Sequence, residues 1–133
     1  MTRKEALSVL ITTLEAGTPY ETMGHTMMCQ RAFPKPDDFD GSREAYSNSP
    51  AQMAILAWRN DDLNAAKALH EVVLPGWGGA AGFDNYTGLV RSRARVTYLA
   101  KNYAEKLDHP FKDLSARAWL LAILRALHSM EKD

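Results

Sequence analysis

Residues 114–131 close the chain as a helix that is apolar around much of its circumference, with Leu114, Ala118, Leu121, Ala122, Leu124 and Leu127 interrupted by Arg117, Arg125 and His128. A helix patterned that way is buried on more than one side, so the rest of the chain must supply two packing layers for it. The segments able to do so are amphipathic helices and a short stretch of strand material, residues 86–91 and 95–100, which are rich in Val, Thr and Tyr. The expected fold class is therefore α+β: mostly helical, with a small antiparallel sheet packed against the long C-terminal helix.

Helix starts are written repeatedly into the first half. Thr2 followed by Glu5 is a capping box, and Leu7, Leu10, Ile11 and Leu14 recur at helical spacing as far as Gly17. Thr18, Pro19 and Glu21 repeat the start signal and predict a second helix to about Arg31, with Met23, Met27 and Met28 turned inward. Residues 33–48 are rich in Pro, Asp, Gly and Ser and read as a loop anchored by Phe39 and Tyr46. Ser49-Pro50-Ala51-Gln52 opens a helix to Arg59, and Asp62 caps another over residues 63–74, whose buried stripe is Leu63, Ala66, Leu69, Val73 and Leu74. Pro75 and Gly76 end it, and residues 77–82 read as a flexible glycine-rich loop. The N-terminal helix pair, residues 1–32, is expected to form an added lobe of one domain spanning residues 1–133.

Composition narrows the function classes. With 133 residues and 46% hydrophobic content, one core is the expectation. Lys plus Arg equals Asp plus Glu at 16 each, so no global field draws the protein to nucleic acid, and direct DNA binding is not expected. Cys29 is the sole cysteine, which excludes an internal disulfide and a multi-cysteine zinc site and suits a cytoplasmic setting. No stretch approaches the roughly 20 apolar residues of a membrane span, and the N-terminus reads as no signal peptide.

The Tyr46-Ser47-Asn48-Ser49 segment, the Ala-rich helix Leu63-Asn64-Ala65-Ala66-Lys67-Ala68-Leu69, the Leu74-Pro75-Gly76-Trp77 exit and the run from Ala118-Trp119-Leu120 to Ala126-Leu127 are similar to the phage ABA sandwich family. The resemblance covers about residues 46–131. It implies a phage or prophage accessory gene and an α/β packing core, and it carries over no catalytic signature.

Among candidate sites, Gly76-Trp77-Gly78-Gly79-Ala80-Ala81 formally matches a dinucleotide fingerprint, but it leaves a helix C-terminus, whose dipole repels phosphate. An ordinary flexible connection is the plainer reading of that segment, with a mobile glycine lid over a ligand, anchored by Trp77, as an alternative that ranks above the phosphate loop. Arg91, Arg93 and Arg95 are spaced by two and, in an extended chain, project from one face, with Val90, Ala94, Val96 and Tyr98 on the other. Three guanidiniums on one face suit phosphate or carboxylate, with Tyr86, Tyr98 and Tyr103 near enough to stack on a base. The plainer reading is a solvated face whose charges deter edge pairing, and a turn at Ser92-Arg93 would dissolve the alignment. His25 and Cys29, at i and i+4, lack a third ligand and read as core; His70-Glu71 lacks the second histidine of a metalloprotease helix; Asp37, Asp38 and Asp40 lack the spacing of a calcium loop.

No nucleophile elbow is present, so no catalytic residue, metal or cofactor is assigned. The expectation is a non-enzymatic binding protein of the host-cell cytoplasm that counters antiviral defence. It would sequester a nucleotide second messenger on Arg91, Arg93, Arg95, Tyr86, Tyr98 and Trp77 as a homo-oligomer, or bind a defence protein such as a CRISPR-Cas component through residues 33–46. The alternative is a phage assembly factor with no small ligand.

Overall fold

The computed structural model describes residues 1–86 and 88–131, with only the backbone of Tyr86. In chain order the elements are α1 (Arg3–Glu15), α2 (Met23–Ala32), α3 (Arg43–Ser47), α4 (Pro50–Arg59), α5 (Leu63–Val73), β1 (Gly78–Tyr86), β2 (Leu89–Tyr98), β3 (Lys101–His109) and α6 (Ser115–Met130). The strands form one antiparallel sheet in the order β1-β2-β3, and α6 lies across one face of it. The fold is α+β.

Helix α6 is the centre of the molecule, as its pattern requires. Ala118, Ala122, Ile123, Leu124 and Ala126 are fully buried, because α1, α4 and α5 cover the sides that the sheet leaves open. Its start is held by the Asp113 carboxylate, which accepts from the Ser115 backbone N–H at 2.8 Å. Helix α1 begins at the Thr2–Glu5 capping box and buries Leu7, Leu10 and Leu14 against α6 and α2. The N-terminal helices therefore belong to the common core rather than to an added lobe.

Four local expectations are corrected. The second helix is capped by Thr22, not started at Thr18-Pro19, and its buried side is Cys29 and Ala32, while Met23 and Met27 are exposed. The later start lets residues 25, 28, 29 and 32, spaced i, i+3, i+4, i+7, form the inward stripe. In the 33–48 segment, α3 interrupts the loop, and Phe39 and Tyr46 pack edge-on against each other at 4.9 Å with Lys35 over both rings, so Phe33 is the core anchor instead. Leu63 is exposed and His70 takes the inward place in α5.

The fourth correction reshapes the sheet. Residues 78–82 are not a flexible loop or a lid; they are the first half of β1, paired with β2 from Gly78↔Thr97 to Tyr86↔Leu89. A third strand, β3, pairs with β2 from Val90↔His109 to Tyr98↔Lys101. Glycine is required at one of these places. A Cβ on Gly79 would stand 2.7 Å from His70 Cε1 and 3.3 Å from Trp119 Cζ2, so the bare backbone is what allows β1 to lie on that buried pair.

Candidate functional site

The geometry of the sheet starts from β2. Ser92, Ala94 and Val96 are buried against α6, and the Ser92 hydroxyl accepts from the Leu114 backbone N–H at 2.6 Å. That bond ties the strand to the start of α6 and sets its register. A slip of one residue would carry the arginines into the core. With the register set, Arg91, Arg93 and Arg95 project together from the opposite, uncovered face, and no turn occurs at Ser92-Arg93.

Their neighbours make the three arginines unequal. Arg91 lies between Asp84 of β1 and Asp108 of β3, and it forms a two-pronged pair with Asp108 at 2.9 and 3.0 Å. Those hydrogen bonds hold the Asp108 carboxyl below the usual aspartate range. Arg93 lies between Gly82 and Lys106, and Arg95 between Ala80 and Ala104. Among the described residues neither Arg93 nor Arg95 forms an ion pair. Arg93, Arg95 and Lys106 thus form a triangle of cations with no direct ion pair among the described residues, on a floor of Ala80, Gly82 and Ala104, in an open hollow of about 750 Å³; the nearby Asp108, already paired with Arg91, is felt by Arg93 and Lys106 at longer range. Lys106 is a member that the sequence reading missed. Its only signal was the alternation of Ala104, Lys106 and Asp108 in a strand too polar to be read as one.

The aromatic residues expected beside the arginines lie elsewhere. Trp77 stacks on Tyr98 at 5.4 Å with an interplanar angle of 23°, and leans on Tyr103 at 6.2 Å. Tyr103 shares the helix-side parity of Val96, and its hydroxyl meets the Ser129 hydroxyl of α6 at 2.6 Å. Trp77 and Tyr98 are therefore packing residues of the covered side, separated from the arginines by the sheet itself. The side chain of Tyr86 lies outside the described residues.

The hollow is lined by cations, small residues, Phe83 and the carboxylates of Asp84 and Glu105, with no His, Ser or Cys among its described walls. Elsewhere, His70, His25 and Cys29 are engaged or buried. His70 is buried, with Trp119 Nε1 donating to its Nδ1 at 3.2 Å and its Nε2 donating to the Trp77 carbonyl at 2.9 Å. His25 lies 4.7 Å from the Trp58 ring, and its Nδ1 accepts from the Glu21 N–H. The Cys29 thiol is 1% exposed, and burial pushes its pKa up to about 12. Among the described residues no three metal-ligating side chains cluster, and no helix is long and apolar enough to cross a membrane.

The surface around residues 33–46, the other expected docking region, borders a second hollow beside α2, of about 680 Å³. Its described walls are apolar and basic, with Arg3, Arg31 and Lys35 and no carboxylate among them. Asp40 is turned to the Ser42 backbone N–H at 2.8 Å, a local turn bond that lowers its pKa. No protein-family description, curated protein or solved structure matches the chain.

Proposed function

We propose that this is an anion-binding protein that acts by occupancy, holding a phosphate-bearing nucleotide on the uncovered sheet face through Arg93, Arg95 and Lys106. The observation that carries this reading is the contrast along β2: Arg91 is neutralised by Asp108, whereas the next two arginines face only small or cationic neighbours. Like charges on one face without a direct counter-ion cost stability by mutual repulsion, and a ligand with two or more negative charges removes that cost. Guanidinium forks bind phosphate oxygens in pairs, and the flat alanine and glycine floor leaves room for a ribose or base to lie against the sheet, under an arginine plane rather than a tyrosine. The particular use we propose, sequestering a host nucleotide signal in the cytoplasm and so blunting an antiviral defence, rests solely on the resemblance read from the sequence of residues 46–131.

The test is a thermal-shift panel of cyclic di- and trinucleotides, ADP-ribose derivatives and linear nucleotides. A ligand at about 100 times its Kd stabilises the fold by about 2.7 kcal/mol. The double variant Arg93→Glu/Arg95→Glu abolishes the shift while keeping its far-UV spectrum, whereas Arg91→Ala retains binding. Binding weakens as salt is raised. A panel with no shift, or a shift that survives the double variant, refutes the reading and directs attention to a protein partner.

A further inference from the structure

The two edges of the sheet are built differently. β3 carries Lys101, Glu105, Lys106 and Asp108 and runs into Pro110, which are the features that keep a sheet edge from pairing with another chain. β1 has nine residues, no proline, no lysine or arginine, and Asp84 as its sole charge. Gly78, Gly79, Ala80, Gly82, Phe83, Asp84 and Asn85 are exposed. Among the described residues no hydrogen bond from another element reaches the outward side of β1. A long, solvent-facing and undefended edge is a pairing surface.

We infer that the β1 edge pairs antiparallel with β1 of a second copy of this chain, about a two-fold axis at Gly82 that makes one six-stranded sheet. A two-fold perpendicular to the sheet keeps both α6 helices on one side and both arginine faces on the other. With Gly82 opposite itself, residue 83 meets 81 and residue 84 meets 80. The strand is complementary to itself in that register, because its first half is small and its second half is not. Phe83, 58% exposed on the helix side, lies over Ala81 of the partner, and Asp84 on the arginine side lies over Ala80. Ala80 is the neighbour of Arg95, so its bare surface lets the Asp84 carboxylate of one copy approach the Arg95 guanidinium of the other across the seam. Arg95 has no carboxylate partner in its own chain among the described residues.

The same register has a consequence for the anion face. Because Gly82 is the β2-paired neighbour of Arg93, the two Arg93 residues stand in line across the axis with only two glycines between them. Three strand spacings of about 4.8 Å put their backbones roughly 14 Å apart. The dimer does not depend on anion binding, and its test reads mass and covalent capture rather than ligand affinity.

The experiment is sedimentation equilibrium of the full chain from micromolar to millimolar concentration, alone and as two variants at the axis. A Cβ at Gly82 meets no atom within 4 Å, so both substitutions fit the monomer. The wild type is expected to reach twice the monomer mass. Gly82→Lys sets two like charges against each other and is expected to stay monomeric with an unchanged far-UV spectrum. Gly82→Cys, with Cys29 buried and silent, is expected to form a reducible covalent dimer under mild oxidation, while Asp84→Cys does not. A wild type that remains monomeric throughout, a dimer indifferent to Gly82→Lys, or equal cross-linking at residues 82 and 84 overturns the inference. Any of these outcomes leaves the single-copy anion face untouched.

Discussion

Replacing Gly79 by alanine isolates the contact that makes β1 a strand of this protein. The new Cβ would stand 2.7 Å from His70 Cε1, 3.1 Å from Nδ1 and 3.3 Å from Trp119 Cζ2. Ordinary carbon contacts need about 3.5 Å or more, so the His70 ring must retreat by a sizeable fraction of an ångström. It has little room to do so: the imidazole is held from both sides, by Trp119 Nε1 and by the Trp77 carbonyl, and is 6% exposed. Overpacking of this kind costs about 1–3 kcal/mol. Loosening one of the two hydrogen bonds adds about 1 kcal/mol. Against this stands a gain of about 0.5–1 kcal/mol for removing a glycine from a strand interior. The net is a loss of about 1–3.5 kcal/mol, which for a chain of this size lowers Tm by roughly 4–14 °C. Gly82→Ala is the internal control, because nothing lies within 4 Å of its Cβ, and it should be neutral or slightly stabilising. Both variants are read by thermal melts followed through tryptophan fluorescence. If Gly79→Ala melts within a degree or two of Gly82→Ala, β1 does not rest on the His70–Trp119 pair and the packing described above is wrong.

Leu99 stands in the two-residue connection between β2 and β3 with φ of 54° and is 90% exposed, so Leu99→Gly relieves backbone strain at no packing cost and should raise stability by about 1 kcal/mol, measured by urea denaturation. Burial raises the Glu105 pKa above its ordinary 4.5 despite the pairing with Arg125, which also holds Glu15 at 2.7 Å. A folded pKa above the unfolded one means that this group's contribution is fully present below pH 4.5 and is lost as pH rises through the folded value. Stability curves of wild type and Glu105→Gln should therefore diverge over that window, with the variant flatter; parallel curves would show that the carboxyl does not titrate as its burial requires.

Much of the helical framework was legible because its signals are local. Thr2, Ser49 and Asp62 cap the helices that follow them by accepting from the backbone N–H three residues on, and the apolar circumference of α6 placed it at the centre before any contact was known. The two-residue spacing of Arg91, Arg93 and Arg95 likewise placed them on one face, since alternation is a property of any extended chain. The start of α2 was misread because two capping signals compete within a few residues, and burial of Cys29 and Ala32 against neighbouring helices selects the later one.

The sheet was harder to read, and the reason is physical. β1 is half glycine and alanine and β3 is charged, so neither has strand propensity of its own; β2 pairs with both, and α6, His70 and Trp119 form the surface on which they lie. Propensity in a strand reflects the fit to neighbours more than the backbone itself. The same holds for the site. Sequence alone determined that three arginines share a face, but which of them remain without a direct ion pair depends on Asp108, Lys106 and Ala104, brought alongside by pairing with a strand that follows in the chain. It is the buried Ser92 and Val96, held against α6, that set this register, so the charge left exposed on the opposite face was decided by the core.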